Sequence, residues 1–199
     1  MSFQTNGYQI IRKVISKDLS DFVCNYFLLK RRVARKFFDD KRISPWTKEW
    51  GFWTDRQVPN TYSHYADIAM EILLEKVQPV MEEKSGVKLV PNYSYARIYK
   101  KGDVLERHQD RPSCEISTTL HLGGEPWAFH LEPDLKIDLG IGDMLMYRGC
   151  EIEHWRDSFE GETCVQVFLH YNDASKPNAI DTIYDSRPFL GLPHFYRNL

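Results

Sequence analysis

The sequence lacks the features that would place the protein in a membrane or on a charged polymer. No apolar stretch approaches the ~18 residues needed to span a bilayer. Residues 1–11 contain no basic segment followed by an apolar run, so we expect no secretory signal. The net charge is only −2, and such a chain has no overall field that draws it to nucleic acid or lipid. We therefore predict a cytoplasmic protein that does not bind a membrane, and the low net charge disfavours nucleic acid as a partner.

Cysteines are also few and widely separated. The four are Cys24, Cys114, Cys150 and Cys164, and no two of them form a CxxC pair. Zinc knuckles and thioredoxin-like redox sites contain such pairs. We expect these residues to be buried thiols in a reducing compartment.

Hydrophobic periodicity predicts two helices in the first half of the chain. From Asp18, the predicted N-cap, apolar residues recur at about every 3.6 positions, and the same period returns over residues 66–81. Pro79 is expected to kink the second helix or mark its final turn, and Gly86 to end it. These segments form a helical part of about residues 16–86.

After residue 90 the period changes to two, which predicts a series of short strands. Helices followed by closely spaced strands indicate an α+β fold, a double-stranded β-helix (jelly roll) with the N-terminal helices packed on one sheet. We predict one domain over residues 1–199, with a jelly-roll core of about 90–171 and an irregular but packed tail of 172–199. The predicted strands are 93–99, 114–122, 127–131, 135–139, 144–147 and 163–171.

The most informative motif is His108-Gln109-Asp110 together with the later His154. Residues two apart near a strand end point to the same face, and His154 follows a predicted turn on a strand that could lie opposite. Two imidazoles and one carboxylate can occupy one face of an octahedral metal such as ferrous iron and leave the other face open. The alternative is a surface histidine and aspartate on a turn. His130-Leu131-Glu132 has a similar shape but lacks a comparable partner.

The sequence around this motif resembles that of a known enzyme family. The segment from Tyr95 to Asp110, with Tyr99, Gly102 and His108-x-Asp110, resembles the tyrosine, glycine and His-x-Asp run of iron(II)/2-oxoglutarate dioxygenases. The similarity is greatest to the prolyl 4-hydroxylase branch and to the related demethylases of alkylated nucleic acid. Residues 120–125 resemble the strand and Gly-Gly turn that follow the motif, and 139–147 resemble the Gly-Asp turn before the distal histidine.

This resemblance, over roughly residues 60–171, implies iron(II), 2-oxoglutarate and dioxygen as cofactors and cosubstrates, with ascorbate as a candidate stimulant. It implies that His108, Asp110 and His154 bind the iron. Tyr99 matches the tyrosine whose phenol reaches 2-oxoglutarate, and His121 lies where relatives place a polar or basic residue near the distal carboxylate. A core aromatic and a structural histidine are the alternatives for these last two positions.

One departure from the family pattern concerns the distal carboxylate of 2-oxoglutarate. The family usually has an Arg or Lys some ten residues after the distal histidine, but position 164 is Cys and residues 163–170 contain neither. A buried carboxylate without a cationic partner is costly. We predict that Arg156 supplies the charge, with Arg97 as the second candidate and Arg148 as the third. The departure also leaves room for a different cosubstrate or for a non-catalytic protein.

The predicted function is hydroxylation of an unactivated carbon in a peptidyl residue or small molecule, with succinate and CO2 as coproducts. Arg111 directly follows the carboxylate of the motif and is a candidate to hold an anionic group of the substrate. Two alternatives remain: oxidative demethylation of alkylated nucleic acid, which the net charge disfavours, and a non-catalytic jelly-roll binding protein. The sequence does not predict the substrate or the oligomeric state.

Overall fold

The computed structural model of the chain describes residues 3–177 and 179–197. The helices are α1 (Phe3–Asn6), α2 (Lys17–Asp39) and α3 (Ile68–Ser85). Single 3-10 turns or short 3-10 segments lie at Pro112–Cys114, Ala179–Ser186 and His194–Tyr196. The strands are β1 (Tyr8–Ile11), β2 (Tyr62–Tyr65), β3 (Leu89–Tyr99), β4 (Leu105–His108), β5 (Ile116–Gly124), β6 (Phe129–Leu131), β7 (Leu135–Ile137), β8 (Met144–Arg148), β9 (His154–Arg156) and β10 (Cys164–Asp173).

The ends of the two long helices follow from their capping residues. The N-cap of α2 is Ser16, whose hydroxyl accepts a hydrogen bond from the Leu19 N–H at 3.2 Å, so the prediction of Asp18 as N-cap was wrong. Asp18 lies instead in the first turn, where a carboxylate also favours the helix dipole. In α3 the helix continues beyond Pro79 to Ser85, and Gly86 ends it in the left-handed conformation at φ 75°.

The strands form two sheets, which confirms the jelly-roll prediction. We call the sheet with order β1-β8-β5-β10-β3-β2 the major sheet and the sheet with order β4-β9-β6-β7 the minor sheet. All of the strand pairs are antiparallel. The edge strands β1 and β2 lie outside the predicted core of about 90–171. The sequence did not predict them, because four residues are too few to show a clear alternation.

The helices cover one face of the major sheet, as predicted. Alternating residues of β3, β5, β8 and β10 on that face share one apolar cluster with buried residues of α2 and α3. The opposite face of the same strands looks towards the minor sheet and carries most of the polar side chains discussed below. Period-two alternation therefore separates a dry packing layer from the interior between the two sheets.

Beyond β10, which runs to Asp173, the described tail has little regular structure and packs against the rest of the fold. Its 3-10 segment Ala179–Ser186 is interrupted by residues 183–185, which have non-helical backbone angles. Arg187 then forms a buried ion pair with Glu71 of α3, with 2.8 Å between Nη2 and Oε1. Among the described residues no helix is long and apolar enough to cross a membrane.

Candidate active site

The pairing of β4 with β9 brings the two predicted histidine ligands together. His108 is the direct strand partner of His154 in the minor sheet, and their ring centroids are 4.3 Å apart. Asp110 lies just beyond β4, and its Oδ1 is 3.8 Å from His108 Nε2 and 3.6 Å from His154 Nε2. Within the described part of the chain this is the group of His, Cys, Asp and Glu side chains whose ligand atoms converge, all within 4.8 Å.

Hydrogen bonds fix which ring nitrogens face this centre. His108 Nδ1 lies 2.7 Å from the carbonyl oxygen of Glu106, and His154 Nδ1 lies 2.9 Å from that of Ile152. Because a carbonyl only accepts, both Nδ1 atoms carry the hydrogen and both Nε2 atoms hold a lone pair. The amide of Gln57 points its Nε2 at the Nε2 of His108 from 2.8 Å, as expected for a donor facing an acceptor.

Asp110 is oriented from two sides. Its backbone N–H donates to the carbonyl of Gly149 at 2.8 Å, and its Oδ2 accepts from the Ser117 hydroxyl at 2.7 Å. Burial opposes its ionisation, but the neighbouring imidazoles of His154 and His170 and the Ser117 hydroxyl hold the pKa of the Asp110 carboxyl well below its usual range. The result is an ionised carboxylate with Oδ1 free beside two imidazole lone pairs, which suits a small divalent cation.

Gly149 leaves the space that this arrangement needs. A Cβ atom at this position would lie 2.4 Å from Asp110 Oδ2, 2.5 Å from the Cys114 carbonyl oxygen and 2.7 Å from Ser117 Oγ. No side chain larger than hydrogen fits there without moving the carboxylate or its hydroxyl partner. The glycine after β8 is therefore part of the site's construction.

Arg156 is a buried cation without an anionic partner among the described residues. Its side chain is fully buried, and its Nη1 donates to the carbonyl oxygen of Trp127 while Nη2 donates to Thr119 Oγ1 at 3.2 Å. Its Nε has no hydrogen-bond partner in the part of the chain that the structure describes. The rings of Trp127 and Phe129 lie 5.0 Å from its guanidinium carbon. Burial lowers the pKa of the Arg156 guanidinium from its ordinary value, which reflects the cost of a charge that nothing neutralises.

The other candidate cations already have carboxylate partners. Arg97 Nη2 lies 2.7 Å from Asp55 Oδ2, and its Nε donates to the same oxygen at 3.0 Å. Arg148 lies 3.4 Å from Glu151 at the protein surface. Of the three predicted arginines, Arg156 is the one without a carboxylate partner among the described residues, but it is fully buried and does not line the cavity beside His108, Asp110 and His154.

Tyr99 and His121 lie on the interior face of the major sheet. The Tyr99 hydroxyl accepts from Arg97 Nη1 at 3.3 Å, and its ring meets that of Trp127 edge to face at 4.8 Å. His121 places each ring nitrogen 3.1 Å from a backbone carbonyl oxygen, those of Leu139 and Gly123. A neutral imidazole donates to one of these two oxygens, so the N–H of His121 is used within the fold. The Tyr99 hydroxyl is instead shared with a cation beside the site.

We call His108, Asp110 and His154 the triad. A cavity of about 330 Å³ opens onto these three residues. Its mouth holds Arg111, whose Nη2 pairs with Asp185 of the tail at 2.8 Å and whose Nε donates to the Tyr93 hydroxyl at 3.2 Å. Asp185 also accepts from the Tyr65 hydroxyl at 2.6 Å, so the tail is anchored beside the opening. The lining includes all three triad residues, and otherwise consists of Asp55, Gln57, Tyr93, Tyr95, Arg97, Leu105, Gln109, Arg111, Cys114, Tyr147, Phe168 and His170.

The alternative pair His130 and Glu132 does not converge on a site. His130 stacks on Trp155 with ring centroids 5.2 Å apart, and its Nε2 lies 3.3 Å from Asp157 Oδ2. The nearest cation to Glu132 is Arg107, at 3.8 Å.

The sequence did not predict four residues that line the cavity or hydrogen-bond to Asp110, namely Asp55, Gln57, Ser117 and His170. A signal existed for His170, because alternation along β10 puts it on the same face as Gln166 and Phe168. Asp55 and Gln57 lie in the loop before β2, where no periodic pattern indicates the direction of a side chain.

Comparison with known proteins finds the same fold in structures of very different sequence. No family model matches the chain, and no curated protein matches it in sequence. A viral collagen prolyl hydroxylase from Paramecium Bursaria Chlorella virus-1, solved with 2-oxoglutarate, is 13% identical with a TM-score of 0.59, and the match covers 84% of this chain and 97% of that one. HygX from Streptomyces hygroscopicus, solved with nickel and 2-oxoglutarate, is 10% identical with a TM-score of 0.60, covering 87% and 85%.

A prolyl hydroxylase from Trichoplax adhaerens, in complex with a peptide fragment of the hypoxia inducible factor oxygen degradation domain, is 12% identical with a TM-score of 0.59 and 86% coverage of each chain. The chain therefore has the fold of the 2-oxoglutarate/iron(II) oxygenases, prolyl 4-hydroxylases among them. The family resemblance seen in the sequence is confirmed at the level of the fold.

Proposed function

We propose that the protein is an iron(II)/2-oxoglutarate-dependent dioxygenase that hydroxylates an unactivated carbon of a peptidyl residue or small molecule. The observation that carries this proposal is the combination of a converged His108, Asp110, His154 group with the unpaired, buried Arg156 two residues further along β9. The first is a metal site and the second is a site for a carboxylate. A 2-oxoacid with a distant second carboxylate satisfies both.

The donor set fits ferrous iron. Two neutral imidazole nitrogens and one carboxylate oxygen would hold the metal on one face and leave the cavity side open. The separations of 3.6 and 3.8 Å between Asp110 Oδ1 and the two Nε2 atoms are near the roughly 3 Å of adjacent ligands around a small octahedral cation with bonds of about 2.1 Å. When bound, iron(II) with 2-oxoglutarate supplies dioxygen activation coupled to oxidative decarboxylation, with succinate and CO2 as coproducts.

The protein's own contribution to the cosubstrate is charge and orientation. Arg156 would donate a charge-assisted hydrogen bond to the distal carboxylate, which would remove the cost of its unpaired burial. Tyr99 would add a phenol from the facing sheet, since burial raises its pKa and keeps it protonated. The apolar and aromatic residues around Arg156 would exclude water and so strengthen the pair.

The substrate would enter through the mouth beside Arg111. Because that arginine is already paired with Asp185, an anionic substrate group would compete with a tail carboxylate for it. A peptide is one reasonable substrate, since a neighbour with this fold was solved with a peptide bound.

Two measurements test the proposal. Anaerobic titration with iron(II) and 2-oxoglutarate should produce a visible absorption band that neither produces alone, and its absence would favour a non-catalytic binding protein. Succinate release should then be followed with proline-containing peptides, free amino acids and methylated oligonucleotides. A response confined to the oligonucleotides would favour the demethylase alternative.

The site assignment has its own test. Asp110→Ala and His154→Ala should each abolish 2-oxoglutarate-dependent succinate formation, because each removes one of three metal ligands. His130→Ala is the matched control, since His130 lies outside the group and should leave turnover unchanged. Retained turnover in either ligand variant would exclude the assignment.

A further inference from the structure

His170 is a buried histidine in the cavity wall, and one of its ring nitrogens has no hydrogen-bond partner among the described residues. It is 5% exposed, lies on β10 and lines the cavity. Its ring lies 4.5 Å from that of Tyr93, centroid to centroid, at an interplanar angle of 33°, and its Nδ1 lies 2.9 Å from Ser117 Oγ. No described residue of the protein offers a hydrogen-bond partner to its Nε2. The atom is not among the fully buried side-chain atoms that lack a partner, so it is open to the cavity that His170 lines.

The bonds of Ser117 decide the tautomer of this imidazole. The hydroxyl has one hydrogen, and its nearest acceptor is the ionised Asp110 Oδ2 at 2.7 Å, ahead of the Cys114 carbonyl at 3.0 Å. A hydrogen bond to a carboxylate is the strongest available choice. The serine oxygen must then accept from His170, so Nδ1 carries the hydrogen and Nε2 holds a lone pair.

The ring is also uncharged. Burial, only partly offset by Asp110, lowers the pKa of His170 to about 4. A neutral imidazole with its hydrogen on Nδ1 can only accept at Nε2. The lone pair on the cavity side therefore calls for a donor.

Other polar groups of the same wall are already satisfied. The Tyr93 hydroxyl lies 3.0 Å from Cys114 Sγ and accepts from Arg111 Nε at 3.2 Å. Arg111 in turn is paired with Asp185. His170 Nε2 thus differs from these neighbours because its lone pair has no hydrogen-bond donor among the described residues.

We propose that His170 Nε2 accepts a hydrogen bond from an N–H or O–H group of the substrate and thereby positions the substrate carbon at the metal. The assignment rests on the proposed oxygenase function and narrows it to polar substrates that carry a donor near the target carbon. Analogues in which that donor is methylated would displace solvent from the cavity and leave the acceptor unpaired, which a site of this kind rejects. His170 is a specificity residue that is held in place by Ser117 and, through it, by Asp110.

The tautomer can be measured without any substrate. Nitrogen-15 NMR of the zinc(II)-loaded protein should show the His170 hydrogen on Nδ1 and an unprotonated Nε2. In Ser117→Ala the serine acceptor is lost, and the population with hydrogen on Nε2 should rise. A wild-type protein with hydrogen on Nε2 would make this nitrogen a donor and overturn the proposal.

Selectivity gives the second test. Succinate release is compared for matched pairs of probes, free amino acids against their N,N-dimethyl forms and sugar alcohols against their methyl ethers. In the wild type at least one donor-bearing probe should exceed its methylated partner by tenfold or more in kcat/KM. His170→Phe should reduce that ratio to near one, and His170→Gln, whose amide oxygen can take the place of Nε2, should restore part of it.

The control is His130→Phe, which makes the same change on the outer side of the minor sheet and should keep the wild-type ratio. Equal ratios in the wild type and His170→Phe, or no pair that the wild type distinguishes, would overturn the proposal. A wild-type protein that releases no succinate at all would instead contradict the oxygenase function, and the NMR result would stand independently of it.

Discussion

Cys164 is the direct strand partner of Tyr99 in the pairing of β10 with β3. This is the position where the family pattern has its basic residue, and here a neutral thiol faces the tyrosine that the resemblance assigns to 2-oxoglutarate. The charge nearby comes from the other sheet, where Arg156 of β9 reaches Thr119 on the major sheet. On the proposed function, the cation that binds the distal carboxylate of 2-oxoglutarate lies on the minor sheet and not, as in the family pattern, on the strand that carries Cys164.

Replacing Arg156 should separate cosubstrate binding from folding. Arg156→Met removes a charge-assisted hydrogen bond of about 1.5–3 kcal/mol, so the affinity for 2-oxoglutarate should fall roughly 10- to 100-fold. The stability without ligand should hold or rise, because a buried unpaired charge is lost. Calorimetric titration and urea unfolding measure the two quantities. Arg148→Met, at a paired surface arginine, should change neither, and unaltered 2-oxoglutarate affinity in Arg156→Met would exclude the role.

Gln57 should compete with the metal. Its amide donates to His108 Nε2 at 2.8 Å, and its Oε1 accepts from Arg97 Nη2 at 2.5 Å. Gln57→Leu removes the donor from the lone pair that the metal needs, so iron(II) or zinc(II) affinity should rise by up to about tenfold, the worth of one hydrogen bond. The comparison with Gln109→Leu controls for a lost amide at the same cavity, since Gln109 bonds to the Glu151 carbonyl instead. Weaker metal binding in Gln57→Leu would show that the amide supports the site.

Gly149 should tolerate no side chain. In Gly149→Ala the new Cβ would lie 2.4 Å from Asp110 Oδ2, so the carboxylate must shift, and metal affinity should fall at least tenfold. Gly102→Ala provides the comparison, because a Cβ there meets nothing within 4 Å although φ is +81°. That variant should lose about 1 kcal/mol of stability from backbone strain alone and keep its metal affinity. Zinc(II) titration with thermal unfolding distinguishes the two effects.

The Asp55–Arg97 pair should contribute to the acid sensitivity of the fold. Burial opposes ionisation of Asp55, but Arg97 and the Tyr95 hydroxyl hold the pKa of its carboxyl below the ordinary value of 3.8. A carboxyl whose pKa is lower in the folded state stabilises the fold above the unfolded pKa and loses that contribution as pH falls through the folded one. At neutral pH, Asp55→Asn leaves the buried Arg97 without its anionic partner and should cost about 3 kcal/mol.

Urea unfolding of the wild type and Asp55→Asn between pH 3 and 7 tests this directly. The two proteins should differ most at neutral pH and converge towards the acid end of the range. A difference that does not depend on pH would mean that the asparagine perturbs packing and that the charge contributes little.

Sequence patterns predicted the elements that are long or regularly alternating and missed those that depend on distant partners. The strands β3, β5 and β10 alternate over nine or more residues, so the interior face and the position of Tyr99 could be read directly. By contrast β9 has three residues, and its pairing with β4 is visible only in three dimensions. Ser16 competes with Asp18 as a cap within a few residues, and both types are good caps.

The same limit applies to the site. The three converged ligands could be predicted because their order and flanking turns resemble a known arrangement. The bonds from Ser117 to Asp110 and His170 join residues on β5, β10 and the loop after β4, and no local spacing encodes them. That no carboxylate of the described residues pairs with Arg156 is likewise a property of the folded interior.

His154 and Arg156 share a single three-residue strand. On the proposed function, the distal metal ligand and the cosubstrate's counter-ion are therefore carried by one short stretch of chain and would be inherited together. Cys164, the first residue of β10, then needs no charge, and any neutral residue would serve at that position. A search for a basic residue ten positions after the distal histidine would pass over every descendant built in this way.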